Sequence, residues 1–345
     1  MDTEWRYVAA FAGHLERCGL HDGEVVAILS ESQIRRSLVA TARLAAQSRG
    51  GQVLDVVVPT PASQHPVPIR STGASQAIAR NRAVIAALAS ADLVIDCTVE
   101  GLLHAPELPE VLGGGARVLM VSNEHPDTFD RLGWDDSLPT LVEAAHARLA
   151  EASVMTVTSA HGTDLTVRLA GGFTAGSTGL TDGPGTIAHW PGGLVLTFPA
   201  AHSVEGRLVL APGDANLTFG RYIEQPVTLT IEDDHIADVA GEGVDAMLFR
   251  SYLAAFGDRD AYATSHVGWG LNPAARWEVL ELYDKRELWG TELRAIAGSF
   301  LYSTGANETA GRFTAGHFDL PMMGCTVRLD GDVVVDAGRV VTSAG

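Results

Sequence analysis

His317 and Asp319 stand two apart in Gly316-His317-Phe318-Asp319-Leu320-Pro321, and His266 stands 51 positions upstream in Ser265-His266-Val267-Gly268-Trp269-Gly270. Two imidazoles and one carboxylate are the ligand set of a mononuclear metal site with one flank open. The spacing matters because residues i and i+2 of an extended strand project to one face. His-x-Asp on a strand therefore aims an imidazole and a carboxylate at one point and turns Phe318 away. With His266 as third ligand, adjacent positions stay free for substrate and dioxygen, which suits non-haem Fe(II) chemistry. His-x-Asp also arises by chance, so a plain packing role stays open on pattern alone.

These residues need a frame. The chain has 345 residues, 46% of them hydrophobic, which is long for one core and predicts two domains. Forty-two acidic against 24 basic residues give a formal charge of −18, without a basic cluster. Nucleic acid is excluded as a partner, because the field of the whole protein repels a polyanion. The sole lysine, Lys285, lies in a charged helix-like run and reads as a solvated position, which argues against Schiff-base chemistry. Three scattered cysteines, Cys18, Cys97 and Cys325, exclude both a Cys-x-x-Cys site and a disulfide scaffold. An acidic N-terminus and the lack of a long apolar run predict a soluble cytoplasmic protein without a membrane span. A homo-oligomer is the expected assembly.

The expected fold class is α/β. Residues 1–150 read as a doubly wound, mostly parallel sheet domain, and residues 151–345 as an α+β domain carrying the metal site. Strand-like runs at 25–29, 53–58, 93–99 and 118–121 alternate with helical patterns around 32–47 and 74–90. The first strand runs into Ser30-Glu31-Ser32, so a dinucleotide-binding Gly-x-Gly-x-x-Gly is absent, as is a phosphate-binding loop. Beyond 151, strands at 154–158, 165–169, 194–198, 208–210 and 227–231 are separated by glycine-rich turns. Helical texture returns at 243–256, 275–281 and 287–297. A hairpin is expected from 325–329 to 333–335 across Asp330-Gly331.

His104 follows the third parallel strand, where open α/β sheets bind ligands. It is a candidate acid–base, or a loop histidine beside a helix start at Pro106. His189-Trp190-Pro191 offers an indole for stacking on a ring, or a structural corner. Trp269 carries the same two readings. Ser303 either donates to a ligand or shapes a turn. With Leu103 beside His104, the expected substrate-binding set is Leu103, His189, Trp190, Trp269 and Ser303.

Five segments in order, Leu102-Leu103-His104-Ala105-Pro106-Glu107, His189-Trp190-Pro191, Ser265 to Leu271, Phe300 to Gly305 and His317-Phe318-Asp319, resemble the 2,5-dihydroxypyridine 5,6-dioxygenases. The resemblance implies Fe(II) on His266, His317 and Asp319, an acid–base role for His104, and a small aromatic N-heterocycle and O2 as reactants. It also implies opening between C5 and C6 to N-formylmaleamate. That family is distantly similar to two-metal aminopeptidases, which makes a metal-dependent hydrolase the alternative. As aligned, those peptidases carry metal-binding glutamates at the positions of Gly193 and His266 and a metal-binding histidine at that of Leu301. Three ligands hold one ion, not two, which favours the oxygenase. The stretch Ala175-Gly176-Ser177-Thr178-Gly179 is less polar than the dioxygenase pattern, where a carboxylate is expected, and points to a related ring as a further candidate.

Overall fold

Short β-branched runs in the first half of the chain, each ended by a turn, build four strands of a five-stranded parallel sheet. A computed structural model describes residues 3–62, 75–181, 183–283 and 290–341. Lys285 lies outside the described residues. The parallel strands are β1 (Val25–Glu31), β2 (Gln52–Val58), β3 (Leu93–Asp96) and β4 (Arg117–Met120). A fifth, Ile187–His189, joins β4 from far along the chain, giving the order β2-β1-β3-β4-(Ile187–His189). Helix α1 (Trp5–Arg17) buries Val8, Phe11, Ala12 and Leu15 at helical spacing and packs against α2 (Arg36–Ser48). The helix expected over 74–90 spans Arg82–Ala89, with turns before it.

Two large antiparallel sheets follow, beside a two-stranded one of Ala215–Asn216 and Arg221–Tyr222. One has eight strands, and includes Val154–Ser159, Asp164–Arg168, Val204–Leu210 and Val227–Glu232 together with the hairpin Cys325–Leu329/Asp332–Asp336. The other has five: β5 (Phe173–Ser177), β6 (Leu194–Phe198), β7 (Thr264–Gly270), β8 (Phe300–Asn307) and β9 (Arg312–Met322), in the order β9-β8-β7-β6-β5. The helix Leu138–Glu151 packs on β5 and β6. The helical texture at 275–281 is reduced to the single turn Val279–Leu282; of the stretch 287–297, residues 290–297 are described and hold the single turn Glu292–Ala295. No helix among the described residues is long and apolar enough to cross a membrane.

β7 is buried at every residue, and β8 at every residue but one. Their glycines let backbones approach. A Cβ on Gly268 would sit 2.0 Å from the Val195 carbonyl oxygen, and one on Gly270 would sit 2.1 Å from that of Ile296. This tight sheet holds one wall of the site. The carboxyl ends of the parallel strands hold the other.

Candidate metal centre and active site

β9 is an eleven-residue strand, so His317 and Asp319 share a face. Phe318 turns the other way and packs at 4.7 Å from Phe249 and 4.3 Å from Tyr252, ring centre to ring centre. His266 reaches the same point from β7. Its Nε2 lies 3.6 Å from Asp319 Oδ1, and His317 Nε2 lies 3.2 Å from that oxygen. All three residues are at most 5% exposed. Cis ligands of one ion at bond lengths near 2.1 Å stand roughly 3 Å apart, so the donor set fits a single ion with little movement. His104 also converges: its ligating nitrogen and those of His266 and His317 all lie within 4.8 Å of one another.

The protonation states suit ligation. Ser265 Oγ donates to the Ala306 carbonyl at 2.5 Å and lies 3.0 Å from His266 Nδ1. With its proton committed, the hydroxyl accepts from Nδ1–H, which leaves the Nε2 lone pair facing Asp319. Burial holds His266 well below the ordinary histidine range, and burial together with the nearby His317 brings His104 down to about 3. Both are neutral imidazoles near pH 7. Burial alone would raise Asp319, yet Arg294, His317 and His266 hold it well below the usual carboxylate range.

Arg294 is a site residue without a sequence signal. It sits in the single turn Glu292–Ala295, and its Nε lies 2.7 Å from Asp319 Oδ2. Ser303, paired with Asp319 in the β8–β9 register, donates to Oδ1. Arg294 Nη1 also donates to His189 Nε2 at 3.2 Å, and burial followed by this cation brings His189 down to about 3. The turn is anchored by an Arg131–Glu292 ion pair and by Thr291 N donating to Glu124 at 2.8 Å.

His104 rides on the loop after β3. Asp96 Oδ1 accepts from Thr98 N (2.9 Å) and Thr98 Oγ1 (2.7 Å), and Oδ2 from Leu102 N (2.7 Å). Glu31, at the end of β1, accepts from Val99 N at 3.0 Å. Two buried carboxylates at adjacent strand ends thus fix this loop.

A cavity of about 330 Å³ joins the two walls. His104, His189, His266, Arg294, His317 and Asp319 line it, with Leu103 and Phe198 among its apolar residues. Phe198, not singled out in the sequence, lies 5.1 Å from the His266 ring and presents an aromatic surface. Trp190 and Trp269 do not reach the cavity. On β7 an odd offset from His266 sends Trp269 into the core, where it is 1% exposed. Trp190 stacks on Phe129 at 3.9 Å beneath α1. Residues 175–177 form the end of an edge strand, and Ser177 Oγ donates to the His189 carbonyl at 3.1 Å.

A profile of the 2,5-dihydroxypyridine 5,6-dioxygenases matches residues 6–342. This chain belongs to that family. It is 36% identical over 322 residues to the 2,5-dihydroxypyridine 5,6-dioxygenase of Pseudomonas putida KT2440, covering 92% of this chain and 90% of that one. The solved structure of 2,5-dihydroxypyridine dioxygenase from the same strain superposes with a TM-score of 0.91 at 33% identity, covering 98% and 97% of the two chains. The family makes the chain a ring-cleaving dioxygenase, an oxidoreductase. Wild-type AmpT from Thermus thermophilus shares the fold at a TM-score of 0.59 and 16% identity, covering 98% of this chain and all of that one (100%).

Proposed function

We propose that this dioxygenase uses Fe(II), held by His266, His317 and Asp319, to open 2,5-dihydroxypyridine or a close hydroxypyridine between C5 and C6, giving N-formylmaleamate. The observation that carries the reading is the convergence of His266 Nε2 and His317 Nε2 on Asp319 Oδ1 in the wall of a ring-sized cavity. A ferrous ion in that place supplies the redox coupling between an electron-rich ring and dioxygen that side chains lack.

The chain's own residues bind, orient and move protons. Phe198 and Leu103 offer apolar surface to the ring faces. Arg294 and Ser303 fix the Asp319 carboxylate, Arg294 on Oδ2, so that Oδ1 stays turned toward His266 and His317. His104 is a neutral acceptor beside these ligands, placed to take the proton of the 5-hydroxyl. A ring oxyanion next to it raises its proton affinity, which lets it hold that proton and return it later. The weakly polar stretch at Ser177 leaves a related hydroxypyridine as the second candidate substrate.

An oxygen electrode with 2,5-dihydroxypyridine and added Fe(II) tests the reading. Oxygen uptake with formation of N-formylmaleamate is expected, and no uptake refutes it. Alanine at His266, His317 or Asp319 should abolish iron retention and turnover. His104→Ala should retain iron and turn over roughly 100-fold more slowly; iron loss in that variant would make His104 a ligand.

A further inference from the structure

We propose that Arg294 is the anion-recognising residue of the cavity, and that its Nη2 hydrogen-bonds the carboxylate created when the ring opens. The inference rests on the ring-opening reading above.

Arg294 is held from two sides. Its Nε lies 2.7 Å from Asp319 Oδ2, and Nη1 donates to His189 Nε2 at 3.2 Å. The turn that carries it is fixed as well, because Glu292 accepts from Arg276 N at 2.7 Å and pairs with Arg131. Nε is buried, whereas Nη2 keeps open surface and has no hydrogen-bond partner among the described residues. The side chain is 12% exposed and lines the cavity, so an occupant can touch this nitrogen. A guanidinium carries five N–H donors in one plane, and Asp319 and His189 engage two of its three nitrogens. Among the described side chains that line the cavity, Arg294 is the cation, against the carboxylates of Glu100 and Asp319. A divalent ion on Asp319 takes up that carboxylate's charge, which leaves the guanidinium free to attract another anion.

The reaction proposed above makes one. C5, which bears the hydroxyl oxygen, gains one oxygen atom from O2 as the C5–C6 bond breaks, and becomes a carboxylate carbon. C6 gains the other and becomes the formyl carbon. The proton lost is that of the former hydroxyl. The new carboxylate arises at the end of the molecule turned toward His104 and Asp319, on the side of the cavity where Arg294 holds Asp319. A fixed guanidinium N–H meets a carboxylate in a charge-assisted hydrogen bond, and a donor already held in place loses little freedom in making it.

The test is anaerobic calorimetric titration of iron-loaded wild type, Arg294→Lys and Arg294→Met with two probes. Maleamate is the product without its formyl group, and maleamide is the same chain with an amide in place of the carboxylate. Iron content is measured before each titration. Wild type should bind maleamate about tenfold or more tightly than maleamide. Both variants should lose most of that preference and bind maleamide within about twofold of wild type. Lysine keeps a cation opposite Asp319, but one nitrogen does not serve two carboxylates in the way a planar fork does. If the methionine variant loses iron, the lysine variant decides. No preference in wild type, a preference kept in the variants, or loss of iron from both variants overturns the anion contact. A preference that depends on Arg294, without ring opening of 2,5-dihydroxypyridine by wild type, would leave that contact standing and sink the proposed reaction. Wild type that binds neither probe and opens no ring overturns both.

Discussion

Replacing Arg294 with methionine should lower the melting temperature of the iron-free protein and leave that of the iron-loaded protein nearly unchanged. Arg294 Nε lies 2.7 Å from Asp319 Oδ2, with side chains 12% and 2% exposed. Removing one partner of a buried ion pair strands the other charge and costs roughly 3–5 kcal/mol. For a chain of this size about 2 °C accompanies each kcal/mol, which predicts a fall of roughly 6–10 °C. A divalent ion on the same carboxylate supplies the missing positive charge, so the loaded variant should lose only about one hydrogen bond, roughly 2 °C. The pH dependence has a definite sign. Asp319 is depressed in the folded state, so its contribution is present above the ordinary carboxylate range and is lost as pH falls through the depressed value. The gap between the iron-free proteins should therefore be widest near neutrality and narrow toward acid. Scanning calorimetry with and without Fe(II), at two pH values, reads both effects. Equal losses in both forms, or no loss in the iron-free form, would refute the counter-ion argument.

Ser265→Ala should raise the dissociation constant for Fe(II) by roughly 10- to 100-fold, because Ser265 Oγ fixes the His266 tautomer that offers Nε2; competition with a chelator measures it, and unchanged affinity would remove the tautomer argument. His14 is buried against the Gly179 carbonyl at 2.9 Å and lowered to about 4, chiefly by burial. Below about pH 6.5 the unfolded chain takes up a proton there that the folded chain refuses, so stability drops by roughly 3 kcal/mol between pH 6.5 and 4. His14→Gln should flatten that part of the urea-unfolding profile by one proton, and an unaltered acid slope would exclude His14 as its source.

Periodicity made much of the frame readable. The four parallel strands, the helix Gly243–Phe256 and the closing hairpin lie within a few residues of where apolar spacing places them. β7 and β8 escaped that reading for a physical reason. Buried on both faces, they show no alternation, and Gly268, Gly270 and Gly305 lower their apparent strand propensity. The same glycines are required by backbone contacts that no local pattern displays. The convergence of His266, His317 and Asp319 was legible because the i, i+2 spacing of His317 and Asp319 has a strand meaning. Arg294 and Phe198 were not, since each comes to the cavity only through what the fold sets beside it. The tryptophans misled in the opposite direction. An indole suggests a ring platform, but strand parity sends Trp269 into the core, and Trp190 is spent on stacking with Phe129.

The likeness to AmpT shows that the two chains share a fold, and a fold alone does not set a reaction. Two positions, Gly193 and Leu301, bear on whether a second ion could be held. A second ion would need further ligands within a few ångströms of the first. Gly193 has φ 106°, and a Cβ there would meet the Asn272 Cβ at 2.6 Å, so a carboxylate at 193 would displace the strand exit that Asn272 holds through Gly192. Leu301 is fully buried with Leu194 and Leu196 in an apolar cluster that forms part of the cavity wall. Where a second ion would require donors, this chain has packed hydrocarbon and a close backbone contact. The cavity is thereby left with the buried His266, His317 and Asp319 facing apolar surface, a geometry that suits the flat ring and single ion proposed above.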